Sequence, residues 1–384
     1  MQQNNIQYLY FISVIRTPDS NSTSTHLMTE ALLKGWKENG IDVTFFAICE
    51  FPEEKEKIEK YFSCFAKKVI VLNSLHSVSG GKFSSLCNIL AATYFDGGYA
   101  KEIIKKLSNS EKPDLILAHA PSFESLPFGK ALKKHFKTVP YYQYWSDPLA
   151  LSGIMPEDFG FKRWLFYLAE NHAYKYADQI VFGTKTLLDM NSVLYKKHTD
   201  KMRFVDVAYL PKSELAPVIT RPSNEFIYAG NYYSAIRNII PLYNAFNRLG
   251  GEYKLYIYGT SDLQLESTEN VIINHRIAAK ELEKIENSFA NNICVLNHSC
   301  MQIPGKTFYQ TDTEQNILVI TDGSHKKQIT DYLKIYNRFS ICENNEKSII
   351  SEVIRISSLG PYTWSDEHKM KFSSKQIAYY ILQK

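Results

Sequence analysis

Glycines and basic residues follow three predicted strands in the C-terminal half of the chain. The strand EFIYAG ends at Gly230 and precedes Arg237, the strand YKLYIYG ends at Gly259, and the turn IPGKT carries Gly305 and Lys306. A glycine at the end of a strand lets a ligand approach the backbone, an arginine binds phosphate through two parallel hydrogen bonds, and a lysine supplies a point charge. Because parallel strands end along one edge of a sheet, the three loops are expected to lie together. Their residues predict a diphosphate site.

The turn IPGKTFYQ permits two interpretations. In the first, Thr307 caps the N-terminus of a helix, and Lys306 is a solvated surface side chain. In the second, free backbone N–H groups, the positive end of the helix dipole and the ammonium group together bind an anion. The residues of the turn alone do not decide between the two.

Two residues in the N-terminal half could take a direct part in chemistry. Asp147 comes just after the strand YYQYW, and His119 lies at the end of the strand LILAHA. Each also has a simpler interpretation, because an Asp before a Pro is common in turns and a histidine at a strand end is often a hydrogen-bonded structural residue. Both are retained as catalytic candidates.

The elements that would position these residues alternate between strands and helices along the chain. Near-continuous apolar runs such as Ile6–Ile15 are typical of parallel strands that are buried on both faces. The pattern predicts an α/β protein of two Rossmann-like, doubly wound parallel-sheet domains that face each other across a cleft. We expect an N-terminal domain over 1–210, a proline-rich linker over 211–223, a C-terminal domain over 224–362, and a last segment, 363–384, whose helix packs back on the N-terminal domain.

Composition excludes several classes of protein. The chain has 384 residues, of which 45% are hydrophobic and 22% charged, and its formal net charge of +4 is weak for a nucleic-acid binder of this size. The six cysteines are scattered, which favours reduced thiols in a cytoplasmic protein. No apolar run reaches the ~20 residues of a membrane span, and the N-terminus is predicted to be the first strand and not a signal peptide.

Residues 225–323 resemble the second domain of the retaining GT-B glycosyltransferases, especially the bacterial enzymes of the glycosyltransferase family 4-like group that build capsule, O-antigen and other surface polysaccharides. The shared order is strand–Gly–loop–Arg–Asn–helix, then strand–Gly, then a strand followed by Pro-Gly-Lys. The resemblance implies transfer of a sugar from a nucleotide-diphosphate sugar to a glycan or lipid-linked glycan, with retention. It implies that the donor is bound by Gly230, Asn231, Arg237, Gly259, Gly305, Lys306, Thr307 and Tyr309.

The chain departs from the family at two positions. Met301 and Tyr309 stand where the family commonly has glutamates, one directed toward the donor sugar and one toward the ribose. A tyrosine at the second position offers one neutral hydrogen bond to the ribose where a glutamate offers charged ones. These losses leave two alternatives open: a sugar-nucleotide epimerase of the same architecture, or a non-catalytic donor-binding partner subunit.

The acceptor is expected to bind at the strand ends of the first domain. In the loop RTPDSNSTST, the side chains of Arg16, Asn21 and Ser22 could donate or accept hydrogen bonds to acceptor hydroxyls, although a solvated polar loop explains the same residues. Trp145, at the end of a neighbouring strand, is also predicted to bind the acceptor. No DxD motif occurs in the chain. We therefore expect neither a metal nor a cofactor, because cationic loops would neutralise the diphosphate.

The aromatic and basic segment over 159–177 also permits two interpretations. Its aromatic side chains either pack on the sheet or rest, with Lys162, Arg163 and Lys175, on the anionic headgroups of a membrane. The second interpretation would place the protein peripherally on the inner face of the plasma membrane.

Overall fold

The computed structural model describes residues 6–15, 24–74, 103–104, 107, 112–122, 124–151, 160–208, 219–298, 302–311, 313–363, 365 and 370–383. The chain divides into two compact units, the first comprising Met1–Ala208 with Lys371–Lys384 and the second Tyr209–Met370. The predicted acceptor residues Arg16, Asn21 and Ser22, together with Met301, lie outside the described residues.

The first unit contains seven described strands and six longer helices. The strands are β1 (Tyr8–Ile15), β2 (Asp42–Cys49), β3 (Lys68–Asn73), β4 (Leu115–Ala120), β5 (Tyr141–Trp145), β6 (Gln179–Phe182) and β7 (Met202–Phe204). The helices are α1 (Ser24–Glu38), α2 (Lys55–Phe62), α3 (Ser125–His135), α4 (Phe161–Tyr176) and α5 (Lys185–Leu194), with short 3-10 helices at Pro52–Glu54 and Lys196–Lys201; the sixth, at the end of the chain, is given below.

All described strands of the first sheet are parallel, in the order β3-β2-β1-β4-β5-β6-β7. The order reverses direction between β1 and β4, as a doubly wound sheet does. Large side chains from both faces are buried without exposed area, among them Tyr10, Phe11, Phe45 and Phe46. The sheet is therefore covered on both sides, which the continuous apolar runs predicted.

The second unit is a smaller sheet of the same kind. Its described strands are β8 (Glu225–Ala229), β9 (Lys254–Tyr258), β10 (Val271–Asn274), β11 (Asn291–Val295), β12 (Asn316–Thr321) and β13 (Ser340–Glu343). Its helices are α6 (Ile240–Leu249), α7 (Ala279–Glu286), α8 (Lys306–Tyr309), α9 (Lys326–Lys334) and α10 (Glu346–Ser357). The strands are parallel in the order β10-β9-β8-β11-β12-β13, so the prediction of two doubly wound parallel sheets is confirmed.

The last helix, α11 (Ser374–Leu382), belongs to the first unit and packs on α1. The indole nitrogen of the buried Trp36 donates to the carbonyl of Ala378 at 3.0 Å. Arg203, in β7, donates to the carbonyls of Tyr380 and Gln383 at the C-terminal end of α11. A cation at this end satisfies carbonyls that the helix leaves unpaired, and it complements the helix dipole.

Candidate functional site

The loops that follow β8 and β9 touch each other at two glycines. A Cβ atom at position 259 would lie 2.2 Å from the carbonyl oxygen of Gly230, so no other residue type fits at Gly259 without moving the backbone. Beyond the glycines, Asp262 accepts hydrogen bonds from the backbone N–H and the hydroxyl of Ser234, at 2.9 and 2.8 Å. These bonds lower the pKa of Asp262. The two strand-end loops are thus held together as one surface.

Arg237 joins this surface to the end of β11. Its guanidinium donates to the carbonyl of Asn231 at 3.1 Å and to the side-chain oxygen of Asn297 at 2.9 Å. Both acceptors are neutral, so neither compensates the positive charge. Among the described residues, the buried Nε atom has no hydrogen-bond partner. Because a guanidinium has five N–H donors, these two acceptors do not use all of them. The structure therefore places the predicted residues Gly230, Asn231, Arg237 and Gly259 together at the carboxyl edge of the second sheet.

The turn at Lys306 differs from both sequence interpretations. The helix α8 is a single turn of four residues, and its N-cap residue, Gly305, makes no side-chain capping bond. The backbone N–H groups of Thr307 and Phe308 donate to the carbonyls of Pro304 and Gly305, both at 2.9 Å. The amides of Thr307 and Phe308 are therefore occupied, and one turn has little dipole, so neither supports the predicted anion site, which stays a prediction.

Two side chains of the turn point inward. Thr307 has no exposed area and Tyr309 is 9% exposed. The predictions that Thr307 caps the helix and that Thr307 and Tyr309 contact the donor were wrong, because both side chains are enclosed by the core of the second unit. Phe308, between them, packs beside the ring of Tyr336.

Lys306 has a partner that the sequence did not reveal. Its ammonium group donates to the carbonyl oxygen of Ala229 at the end of β8, and it forms an ion pair with Glu286 at the end of α7. The carboxylate is only 12% exposed, and it also accepts a hydrogen bond from Gln310 at 3.0 Å. The charge of Lys306 is therefore compensated within the protein, whereas no carboxylate among the described residues pairs with Arg237.

Three loops at this edge carry polar residues that sequence reasoning missed. His298 follows β11, and Asp322 follows β12, and the His298 Nδ1 and Asp322 Oδ1 atoms are 3.2 Å apart. Asn344, after β13, donates to the other oxygen of Asp322 at 2.8 Å and to the carbonyl of Asn238 at 2.9 Å. Each is a single polar residue with no local motif; the one available signal was its position directly after a buried strand.

In the first unit, His119 is buried beneath the ends of the central strands. Its Nδ1 atom lies 3.3 Å from the hydroxyl of Ser13, and its Nε2 atom lies 3.2 Å from the hydroxyl of Ser146. Burial lowers the pKa of His119 to about 4, so the ring is neutral at neutral pH. With 2% exposure and a hydroxyl at each nitrogen, the geometry is that of a structural histidine, the alternative weighed above.

Asp147 is partly exposed beyond β5, and a buried carboxylate holds the segment that follows it. Glu170 accepts hydrogen bonds from the backbone N–H groups of Leu149 and Ala150, at 2.8 and 3.2 Å, and from the hydroxyl of Tyr195. Burial raises the pKa of Glu170 to about 7. The segment directly after Asp147 is therefore held by a residue on α4 that no sequence pattern identified.

Trp145 was wrongly predicted to bind an acceptor. It has no exposed area, its indole packs against Tyr174, and its Nε1 atom donates to Gln143 at 3.1 Å. The strand β5 is covered on both faces, so a side chain at its end still belongs to the core.

The described residues contain neither a cluster of metal ligands nor a membrane-spanning helix. No three His, Cys, Asp or Glu side chains there come together as metal ligands would. Within the same part of the chain, no helix has the length and apolar character needed to cross a membrane.

No family model and no curated protein matches the sequence. Solved structures match it in fold. Sucrose-phosphate synthase from Thermosynechococcus elongatus has 11% identity and a TM-score of 0.62, over 98% of this chain and 94% of that one. Arabidopsis thaliana UGT89C1 complexed with UDP-L-rhamnose has 11% identity and a TM-score of 0.58, over 98% of both chains. A UDP-N-acetylglucosamine 2-epimerase has 10% identity and a TM-score of 0.50, over 98% and 91%. The chain therefore has the GT-B fold.

Proposed function

We propose that the protein is a glycosyltransferase that transfers a sugar from a nucleotide-diphosphate sugar to a growing surface glycan, with retention at the transferred sugar. The observation that carries the proposal is Arg237, whose guanidinium pairs with no described carboxylate and lies beside the contact of Gly230 with Gly259 at the carboxyl edge of the second sheet. The shared fold supports it, since one protein with this fold was crystallised with UDP-L-rhamnose. The surface glycan and retention rest on the resemblance in sequence.

In the proposed reaction, Arg237 stabilises the negative charge that develops on the departing diphosphate. Stabilisation of developing charge by fixed donors is commonly the largest single contribution to catalysis. Asp147 is proposed to lie near the reacting centre, and Glu170 holds the segment directly after it. Since His119 is enclosed and neutral, its proposed role is to support Ser146, the residue before Asp147.

The proposal is tested by calorimetric titration with a panel of nucleotide-diphosphate sugars, followed by mass spectrometry of reactions that contain glycan and lipid-linked glycan acceptors. We expect one donor to bind and its sugar to appear on an acceptor. Conversion of the donor to its epimer without acceptor would show the epimerase alternative. Binding without any turnover would show a donor-binding partner subunit, and absence of binding to every donor would contradict the proposal.

The proposal includes no metal ion, and we expect transfer to persist in excess EDTA. The reason is that a guanidinium carries the positive charge for the diphosphate at this edge, where many other transferases use a divalent cation. Initial rates with EDTA and with added Mg²⁺ or Mn²⁺ test this. A rate that falls to background in EDTA and returns with either metal would contradict it.

The finer proposal of peripheral membrane contact rests on the start of α4. Phe161 and Trp164 are 70% and 42% exposed, and their rings stack with centroids 5.8 Å apart. Phe166, by contrast, is buried, and Tyr167 stacks on Tyr195, so these two rings pack on the protein as the alternative interpretation required. Exposed aromatic rings beside basic residues are typical of segments that rest in the headgroup region.

We expect the variant with Phe161→Ser and Trp164→Ser to lose sedimentation with vesicles that contain anionic lipid. The wild type should sediment with them and should be released by salt, because the basic residues contribute electrostatic attraction. Val193→Ser, at another exposed apolar residue of the first unit, is the matched control. Equal sedimentation of all three proteins would contradict membrane contact at this place.

A further inference from the structure

His298 lies directly beside the loop that carries Arg237. Its backbone N–H donates to the carbonyl of Ile236 at 2.8 Å, and the preceding residue, Asn297, accepts the hydrogen bond from Arg237. Two consecutive residues after β11 are therefore bonded to two consecutive residues of the Arg237 loop. The backbone of His298 is therefore next to the loop from which Arg237 would bind a phosphate.

The Asp322 carboxylate that faces His298 is fixed from several sides. Its Oδ1 atom accepts from the backbone N–H of Gly323 at 2.7 Å, and its Oδ2 atom accepts from Asn344 at 2.8 Å. The side chain is 19% exposed, whereas that of His298 is 59% exposed. An anchored carboxylate thus holds one ring nitrogen of a histidine whose remaining surface is open to solvent.

Gly323 brings the two loops into contact. Its φ angle is +72°, and a Cβ atom there would lie 1.7 Å from the carbonyl oxygen of His298. Only glycine adopts this conformation at this distance without displacing the neighbouring backbone. The loop after β12 therefore sets the position of the histidine backbone, while Asp322 sets the orientation of its ring.

This arrangement determines which ring nitrogen is available. A hydrogen bond to the carboxylate requires a proton on Nδ1, and so the Nε2 atom is the one directed to a ligand. In a neutral ring with its proton on Nδ1, the Nε2 atom is an acceptor. A hydrogen bond from Nε2 to a phosphate oxygen therefore requires the protonated ring, in which Nε2 donates a charge-assisted bond while Asp322 compensates the charge.

We propose that His298, oriented by Asp322, binds the distal phosphate of the donor beside Arg237, through a hydrogen bond from Nε2. The inference rests on the proposed function and deepens it, because it assigns a second hydrogen-bond donor, after Arg237, to the phosphate that departs with the nucleotide. His298 is then a binding residue, and Asp322 is a positioning residue that acts through it.

A contact to the distal phosphate can be distinguished from contacts to the rest of the nucleotide. Nucleoside diphosphates and monophosphates differ only in that phosphate, so a contact to it affects one ligand and not the other. We would measure by calorimetry the dissociation constants of UDP, GDP, ADP and dTDP, and of their monophosphates, for the wild type, His298→Ala and Asp322→Asn. His275→Gln is the matched control, because His275 is an exposed histidine after β10, three strands away from β11.

We expect His298→Ala to weaken the preferred diphosphate by about tenfold or more, as loss of a charged hydrogen bond does, and to leave the monophosphate unchanged. Asp322→Asn should weaken the same ligand to a smaller extent, and His275→Gln should change neither. Equal weakening of both ligands would indicate a structural role and overturn the inference. Unchanged diphosphate binding in His298→Ala would overturn it while the proposed function stands, whereas a wild type that binds no nucleotide would overturn both.

Discussion

Arg237→Ala is expected to lower the rate of glycosyl transfer by roughly 10²–10³-fold, because it removes a preorganised donor from the place where the diphosphate acquires charge. The loss should appear in kcat as well as in donor affinity, since the developing charge is greatest in the transition state. Arg237→Lys should recover only part of the activity, because lysine keeps the charge and loses the two-pronged hydrogen bond.

Initial-rate kinetics and thermal unfolding of the wild type, Arg237→Ala and Arg237→Lys test this expectation. The matched control is Arg248→Ala, since Arg248 is an exposed arginine of the same unit that pairs with Glu346 at 2.8 Å. The control should retain its activity. Turnover of Arg237→Ala near the wild-type rate would place the phosphates elsewhere.

Lys306→Ala is expected to reduce donor binding and stability mainly through Glu286. The substitution leaves a carboxylate that is only 12% exposed without its cation, next to the end of β8. An unpaired carboxylate there would repel a diphosphate, and breaking such a partly buried pair costs about 2–3 kcal/mol. We therefore expect a loss of roughly one to two orders of magnitude in donor affinity.

The double variant Lys306→Ala, Glu286→Gln shows whether Lys306 acts by neutralising Glu286 or by contacting the phosphates directly. If Lys306 acts by neutralising Glu286, the double variant should regain most of the affinity, and Glu286→Gln alone should bind the donor at least as tightly as the wild type. Calorimetric titration of the four proteins completes the cycle. A double variant as weak as Lys306→Ala would contradict compensation and would show that the ammonium group itself contacts the phosphates.

The fold could be predicted because its cause is local and repeated. Continuous apolar runs such as Tyr8–Ile15 become strands that are buried on both faces, and most of the described strands are followed by a helix. The same pattern located Gly230, Gly259 and Arg237, since the loops at strand ends converge in a parallel sheet. The same reasoning gave a wrong prediction for Trp145, because a strand that is covered on both faces offers no exposed aromatic ring.

The turn at Lys306 could not be predicted because distant residues determine it. The sequence predicted a helix that begins at this turn, and the structure has only the single turn Lys306–Tyr309. After it, the buried Arg338 donates to the carbonyls of Thr311 and Gln315, which are then not available to a continuing helix. The guanidinium of Arg338 also lies over the ring of Tyr362, with its carbon 4.1 Å from the ring centroid. Tyr362 is still further along the chain than Arg338. Tertiary contacts of this kind override local preference.

The residues that complete the site were missed for a related reason. Glu286 lies twenty positions before Lys306, and Asp322 lies twenty-four after His298, so no short motif connects either pair. Only the sheet order, with β11 between β8 and β12, brings them together. Glu170 is a similar case, because a glutamate on an aromatic helix is expected to be solvated, whereas here it binds the backbone after Asp147.

In the proposed function, the carboxyl edge of the second sheet binds the diphosphate of a nucleotide sugar. This binding can be tested by hydrogen–deuterium exchange with and without a saturating nucleoside diphosphate. We expect slower exchange in peptides that span residues 230–237 and 296–298, with no change in the strand Tyr8–Ile15 of the first unit. If a nucleoside diphosphate binds and exchange in both of those segments is unchanged, the diphosphate binds elsewhere and the proposed site is wrong.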